Sequence, residues 1–108
     1  MTTLGTADLT LTIAVQTALA PPWGNQWLIT KATATNSDSV ARTVTVYRVP
    51  ATGTAAAGNI VVEPMTLQPS ETVALPLSAQ ALVNGATLQA SASADNVVNL
   101  NITYQVVT

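Results

Sequence analysis

Few residues in this chain are equipped for chemistry. The side chains that are charged at neutral pH are five carboxylates, Asp8, Asp38, Glu63, Glu71 and Asp95, and three cations, Lys31, Arg42 and Arg48. There is no histidine and no cysteine. Imidazole or thiolate metal sites, a histidine general base, a cysteine nucleophile and disulfides are thereby excluded. Two of the five acids could in principle form a glycosidase pair, since that chemistry needs a spatial rather than a sequential separation. Most of them, however, lie in turns or at strand ends, where solvated acids ordinarily sit. Calcium needs several clustered oxygens, and no Asp-x-Asp run is present. Asp38 and Asp95 read instead as turn formers that accept bonds from local backbone N–H groups. The glycine-bearing segment Thr52-Gly53-Thr54-Ala55-Ala56-Ala57-Gly58 has no lysine after it and no helix signal, as a phosphate loop requires. No G-x-S-x-G occurs. The residues point to no enzyme, no catalytic or metal site and no cofactor.

Recognition is the chemistry that remains. Trp23-Gly24-Asn25-Gln26-Trp27 sets two indoles around two amides, a composition suited to stacking on a sugar ring and hydrogen-bonding to it. The competing use is structural: four aromatics in all and no phenylalanine make each indole valuable for closing a core. Trp27 has the strand parity of Ile29 and is expected to pack inward, with Trp23 at the rim or in a subunit contact. Arg42 and Arg48 share parity with Val44 and Val46, so they are expected to snorkel at the two ends of a buried face, or to pair with a carboxylate of a neighbouring subunit. Trp23, Trp27, Arg42 and Arg48 are thus the candidate interaction surface. Asn101-Ile102-Thr103 matches the glycosylation sequon, a triplet that is common by chance.

The elements that must position these residues are strands. Leu9, Leu11, Ile13 and Val15 alternate with Thr10, Thr12, Ala14 and Gln16, the period of a half-buried strand. Pro21-Pro22-Trp23-Gly24-Asn25 breaks that ladder. Trp27 to Thr35 and Val40 to Val49 read as two further strands, separated by the turn cluster Asn36-Ser37-Asp38-Ser39. After the small-residue loop from Pro50 to Asn59, residues 60–67 form a strand pair or one strand bent at Pro64, which belongs at a sheet edge. Thr72 to Leu77, Thr87 to Ala94 and Asn96 to Val107 complete the set. Turns are expected at Gln68-Pro69-Ser70-Glu71, Asn84-Gly85 and Asp95-Asn96. Only Ser78 to Val83 has any prospect of a helical turn. Seven to eight strands at roughly 8–12-residue spacing predict an all-β, antiparallel β-sandwich, jelly-roll-like or immunoglobulin-like. It would be a single domain over 1–108, with residues 1–6 as an N-terminal arm.

Composition agrees and adds an expectation about association. The chain has 108 residues, enough for one modest core, with 48% hydrophobic and only 7% charged residues and a net charge of −2. Ala, Thr and Val supply 49 of the 108 residues, which suits pleated, closely approaching sheets. Three scattered cations cannot make a nucleic-acid or anionic-membrane footprint, so neither partner is expected. No apolar run reaches the roughly 18 residues needed to cross a bilayer. Leu9 to Ala20 ends like a signal-peptidase site, but Asp8 and the lack of a basic region before it favour a strand. Mean hydropathy is +0.38. So little charge over so much apolar sequence gives weak protection against association, and a homo-oligomer is expected.

A resemblance extends this reading. The run Val40-Ala41-Arg42-Thr43-Val44-Thr45-Val46-Tyr47-Arg48-Val49-Pro50, then Leu67-Gln68-Pro69-Ser70-Glu71-Thr72, then Leu82-Val83-Asn84-Gly85-Ala86-Thr87-Leu88-Gln89-Ala90 taken as a hairpin, and the final strand Asn96 to Val107, together resemble small β-sandwich virion proteins of tailed bacteriophages. The resemblance covers about residues 27–107 and rests on the order of strands and turns. It implies a capsid-decoration or head-fibre-base protein, often trimeric, whose partners are itself and the major capsid protein or another virion protein. It also implies location in the virion after synthesis in the host cytoplasm without a signal peptide. No functional residue carries over from it.

Overall fold

A computed structural model describes residues 2–107 of the chain. The sandwich expected from strand periodicity is present, as two antiparallel sheets with the core between them. The strands are β1 (Thr2–Thr10), β2 (Gln16–Leu19), β3 (Gln26–Asn36), β4 (Arg42–Val49), β5 (Ile60–Leu67), β6 (Thr72–Ala74), β7 (Ala81–Leu82), β8 (Thr87–Ala92) and β9 (Val98–Val107). One sheet has the order β1-β9-β3-β6, with β7 also on β3, and the other has the order β2-β8-β4-β5.

Nine strands rather than seven or eight result from one interruption. β6 pairs with Thr33–Thr35 and β7 with Trp27–Leu28, so both run along β3. Pro76 lies in the gap and has no N–H to offer a ladder. Counted as one broken strand they make eight, and the two sheets then read 1-8-3-6 and 2-7-4-5. That is a ribbon rolled into two Greek keys, the jelly-roll alternative of the two considered. Residues 78–83, the one segment with a prospect of a helical turn, instead form a turn with Ala79 at φ 69° followed by β7. The one helical element among the described residues is a 3-10 turn at Ala57–Asn59.

Two expectations near the start of the chain are corrected. The first is that 9–16 form one strand. β1 ends at Thr10, and the chain then passes from one sheet to the other. Leu11 donates to and accepts from the 96–98 backbone, whereas Thr12 O already accepts from Ala92 in the opposite sheet. The apolar alternation continues through this corner, but Ile13 and Val15 end up exposed. The second is the arm at residues 1–6. Residues 2–6 lie in β1, which pairs with β9 in unbroken register from Thr2↔Val107 to Thr10↔Asn99; Met1 lies outside the described residues. The sequence signal was weak because Gly5 lowers strand propensity, and the compensation is long-range. Tyr104 lies directly opposite, and its ring covers Gly5 so closely that a Cβ there would meet Tyr104 Cζ at 2.5 Å.

Inward parity otherwise follows the sequence pattern. Val44 and Val46 face Ala92 and Ala90, and Val98, Leu100 and Ile102 are buried along β9. β3 keeps its inner face through a register shift between Ile29 and Lys31, so that Trp27 and Ile29 precede the bulge and Ala32, Ala34 and Asn36 follow it on the same side. Pro64 lies on the edge strand β5, where β4 registers Val44 to Met65 but Val46 to Val62, a bulge at Glu63-Pro64. Asn36 is the one buried polar side chain among the described residues. Its amide nitrogen donates to Val40 O, Leu67 O and Gln68 O, and its oxygen accepts from the Asp38 amide, joining the 37–41 and 68–71 loops at one end of the sandwich.

Candidate interaction surface

The four candidate residues separate into different environments. Trp27 packs inward against the core and stacks on Tyr104, with ring centroids 4.3 Å apart and an interplanar angle of 11°. Its indole N–H is buried without a protein acceptor. Trp23 is 72% exposed. It occupies a turn closed by the Asn25 amide donating to Pro22 O, with Gly24 at φ 87°. One face of its indole rests on Gly85, where a Cβ would come within 2.7 Å of the ring. The two indoles therefore do not act as a pair: one is engaged inside the sandwich and the other is offered to solvent.

The two arginines lie at opposite ends of β4. Arg42 binds Asp38 through both Nε and Nη2, at 2.8 and 2.7 Å, within the same chain. That guanidinium, followed by the Ser39 amide, holds the Asp38 carboxyl below its ordinary range. Arg48 is exposed and donates from Nη1 to Gln80 Oε1 at 2.9 Å, bridging the two sheets at their open end. It also borders an open cleft of about 560 Å³ walled by Pro50, Asn59, Ile60, Val83 and Ala86. Val83 and Ala86 flank the Asn84-Gly85 turn, both of whose central residues have positive φ, so the cleft adjoins the turn beneath Trp23. This turn does not close a hairpin as expected, since β7 and β8 belong to different sheets. The cleft offers one guanidinium, amides and small apolar walls.

Three of the remaining acids each bind a separate amide. Asp95 accepts from the Ile13 amide, Glu71 from the Gln68 amide, and Asp8 from Asn101 Nδ2. Among the described residues no three Asp or Glu side chains come together. Sequence reasoning missed the exposed apolar residues Leu4, Ile13, Val15, Val40 and Val107. A signal for the first three was present, because residues 1–30 hold a single charge, Asp8.

No protein-family description matches the chain, and no curated protein matches it in sequence. Its fold, however, is similar to those of solved structures, including the following two. One is a chain of the acid-stable capsid of Helicobacter pylori bacteriophage KHP30, with TM-score 0.55 and 15% identity, covering 97% of this chain and 86% of that one. The other is a chain of the disulfide-linked pili of Bacillus endospore appendages, with TM-score 0.54 and 12% identity, covering 98% of this chain and 84% of that one. At these identities the likeness is one of fold.

Proposed function

We propose that this chain is a non-enzymatic structural protein of a bacteriophage particle. It acts by burying surface against copies of itself and against the major capsid protein or another virion protein. The observation that carries the reading is the combination of a sandwich fold similar to that of a phage capsid chain and an exterior that shows apolar side chains. Capsid decoration or a head-fibre base in a tailed phage, as a homotrimer, is the specific form that the sequence resemblance supports. Cement of this kind stabilises the assembled shell because it binds that state and not the dissociated one. Covalent linkage of the kind named for the spore pili is closed to a chain without cysteine. Negative-stain images of virions before and after adding purified protein test the proposal. The expected result is added density at repeating symmetry positions of the head; unchanged particles overturn it.

Trp23 supports a second reading, a carbohydrate- or receptor-binding module of a fibre or tail. An indole with one face on a glycine turn and the other open, beside a cleft with Arg48 and Asn59, suits stacking against a sugar ring. A glycan array probed with the parent protein and Trp23→Ala separates the two readings. Saccharide binding lost in the variant favours recognition.

A further inference from the structure

The edges of the two sheets are treated unequally. β5 carries Glu63 and Pro64 and a bulge, and it is the outer strand of its sheet. On the same side, the other sheet ends in β6 and β7, which are three and two residues long and split at Pro76. β2 has four residues and a register shift between Thr17 and Leu19, and Pro21-Pro22 follow it. These are the devices by which sheet edges avoid pairing with other chains: short strands, charge, proline and bulges. β1 has only the least of them, a single charge. It runs nine residues in unbroken register with β9 and, among the described residues, pairs with no strand on its other side. It contains no proline and no cation, and its one charge, Asp8, is bonded to Asn101. Its Leu4 is 68% exposed on the outer face.

We infer that β1 is the contact edge for a second copy of this chain, the two β1 strands pairing antiparallel about a two-fold axis at Leu4 and joining their sheets into one. The inference rests on the self-association in the proposed function and assigns it two copies, in place of the three that the sequence resemblance implies. Charge selects the arrangement. Parallel in-register pairing would set Asp8 against Asp8 of the second copy at about 4.8 Å, a destabilising like-charge pair. A two-fold at Leu4 separates the two carboxylates by about 27 Å, well beyond the screening length of about 8 Å. It also places the two exposed leucines opposite each other on one face, where they shield each other from water. The contact is isologous and closes at two copies, because the guarded opposite edges leave β1 no complementary surface for a head-to-tail chain.

Sedimentation equilibrium of the parent, of Leu4→Lys and of Trp23→Lys tests the inference, with circular dichroism melting to show that each variant folds. The expected outcome is a dimer for the parent and for Trp23→Lys, and a monomer for Leu4→Lys with an unchanged melting temperature. Because the chain has no cysteine, single Leu4→Cys and Asp8→Cys variants report the register on a non-reducing gel. Cross-linking should be strong at position 4 and absent at position 8. A parent monomer or trimer, association that survives Leu4→Lys, or cross-linking at position 8 in preference to position 4 overturns it. Adding Leu4→Lys protein to virions keeps the two readings apart: head decoration by a monomer would retain the virion role whatever the fate of the β1 contact.

Discussion

Tyr104 covers Gly5 inside the sandwich, and Trp23 covers Gly85 outside it. In both places the ring comes so close that no Cβ fits beneath it. The inner ring is also clamped on its other face by Trp27, so the Gly5–Tyr104–Trp27 layer joins β1, β9 and β3. The outer ring has solvent on its free face and touches a turn that links the two sheets. The same local contact therefore serves two ends. Inside it replaces the strand propensity that glycine lacks, and outside it orients an aromatic surface at little cost to the fold. Burial decides which, because apolar stabilisation scales with the area removed from water, and the inner ring loses that area on both faces while the outer ring loses it on one.

The largest test of that contrast is Trp27→Ala. It opens a cavity beside Tyr104 and should lower unfolding free energy by about 3 kcal/mol, read from the urea midpoint at constant slope. Gly5→Ala comes next, at about 1–3 kcal/mol, because the new methyl drives Tyr104 against an indole that cannot yield. Combining Gly5→Ala with Trp27→Ala should cost less than the sum of the two, since the ring is then free to move; strict additivity would mean that the layer is not a unit. Trp23→Ala should change stability by no more than about 0.5 kcal/mol, as exposed substitutions do. A loss near that of Trp27→Ala would show that the outer contact also holds the fold. The smallest effect lies away from both rings, at Asp38 and Arg42. A carboxyl whose folded-state pKa is depressed adds stability above its unfolded value, and that stability is lost as pH falls through the folded one. The parent should therefore exceed Arg42→Gln in melting temperature at pH 6, with the difference shrinking below about pH 4 and also with added salt.

Strand identity was legible wherever the alternation stayed within one sheet. β8 and β9 bury the residues that their period assigns, Leu88, Ala90 and Ala92 on one and Val98, Leu100 and Ile102 on the other. It misled where the chain changed sheets without changing period, as at Leu11–Val15. A local pattern records which side chains prefer an interior but not which sheet supplies it. The candidate surface was legible in part. Trp27 turned inward as its parity with Ile29 required, whereas the pairing of Arg42 with Asp38 across a turn, and of Arg48 with Gln80 across the sheets, depends on neighbours that no spacing reveals. Asn36 looked like one more turn residue and instead holds two loops together from a buried position.

By itself the sequence determined the all-β class, the inward stripes, the turns at Asn84-Gly85 and Asp95-Asn96, and the absence of imidazole and thiol chemistry. These follow from residue identity and local period, which act over a few bonds. Only the tertiary structure decided between a jelly roll and an immunoglobulin-like sandwich, placed residues 2–6 in the sheet, and left β1 with an open edge. Each of those depends on which strands lie side by side. Strand order is chosen by the summed packing of residues far apart in sequence, such as Gly5 with Tyr104, and no local pattern contains that sum.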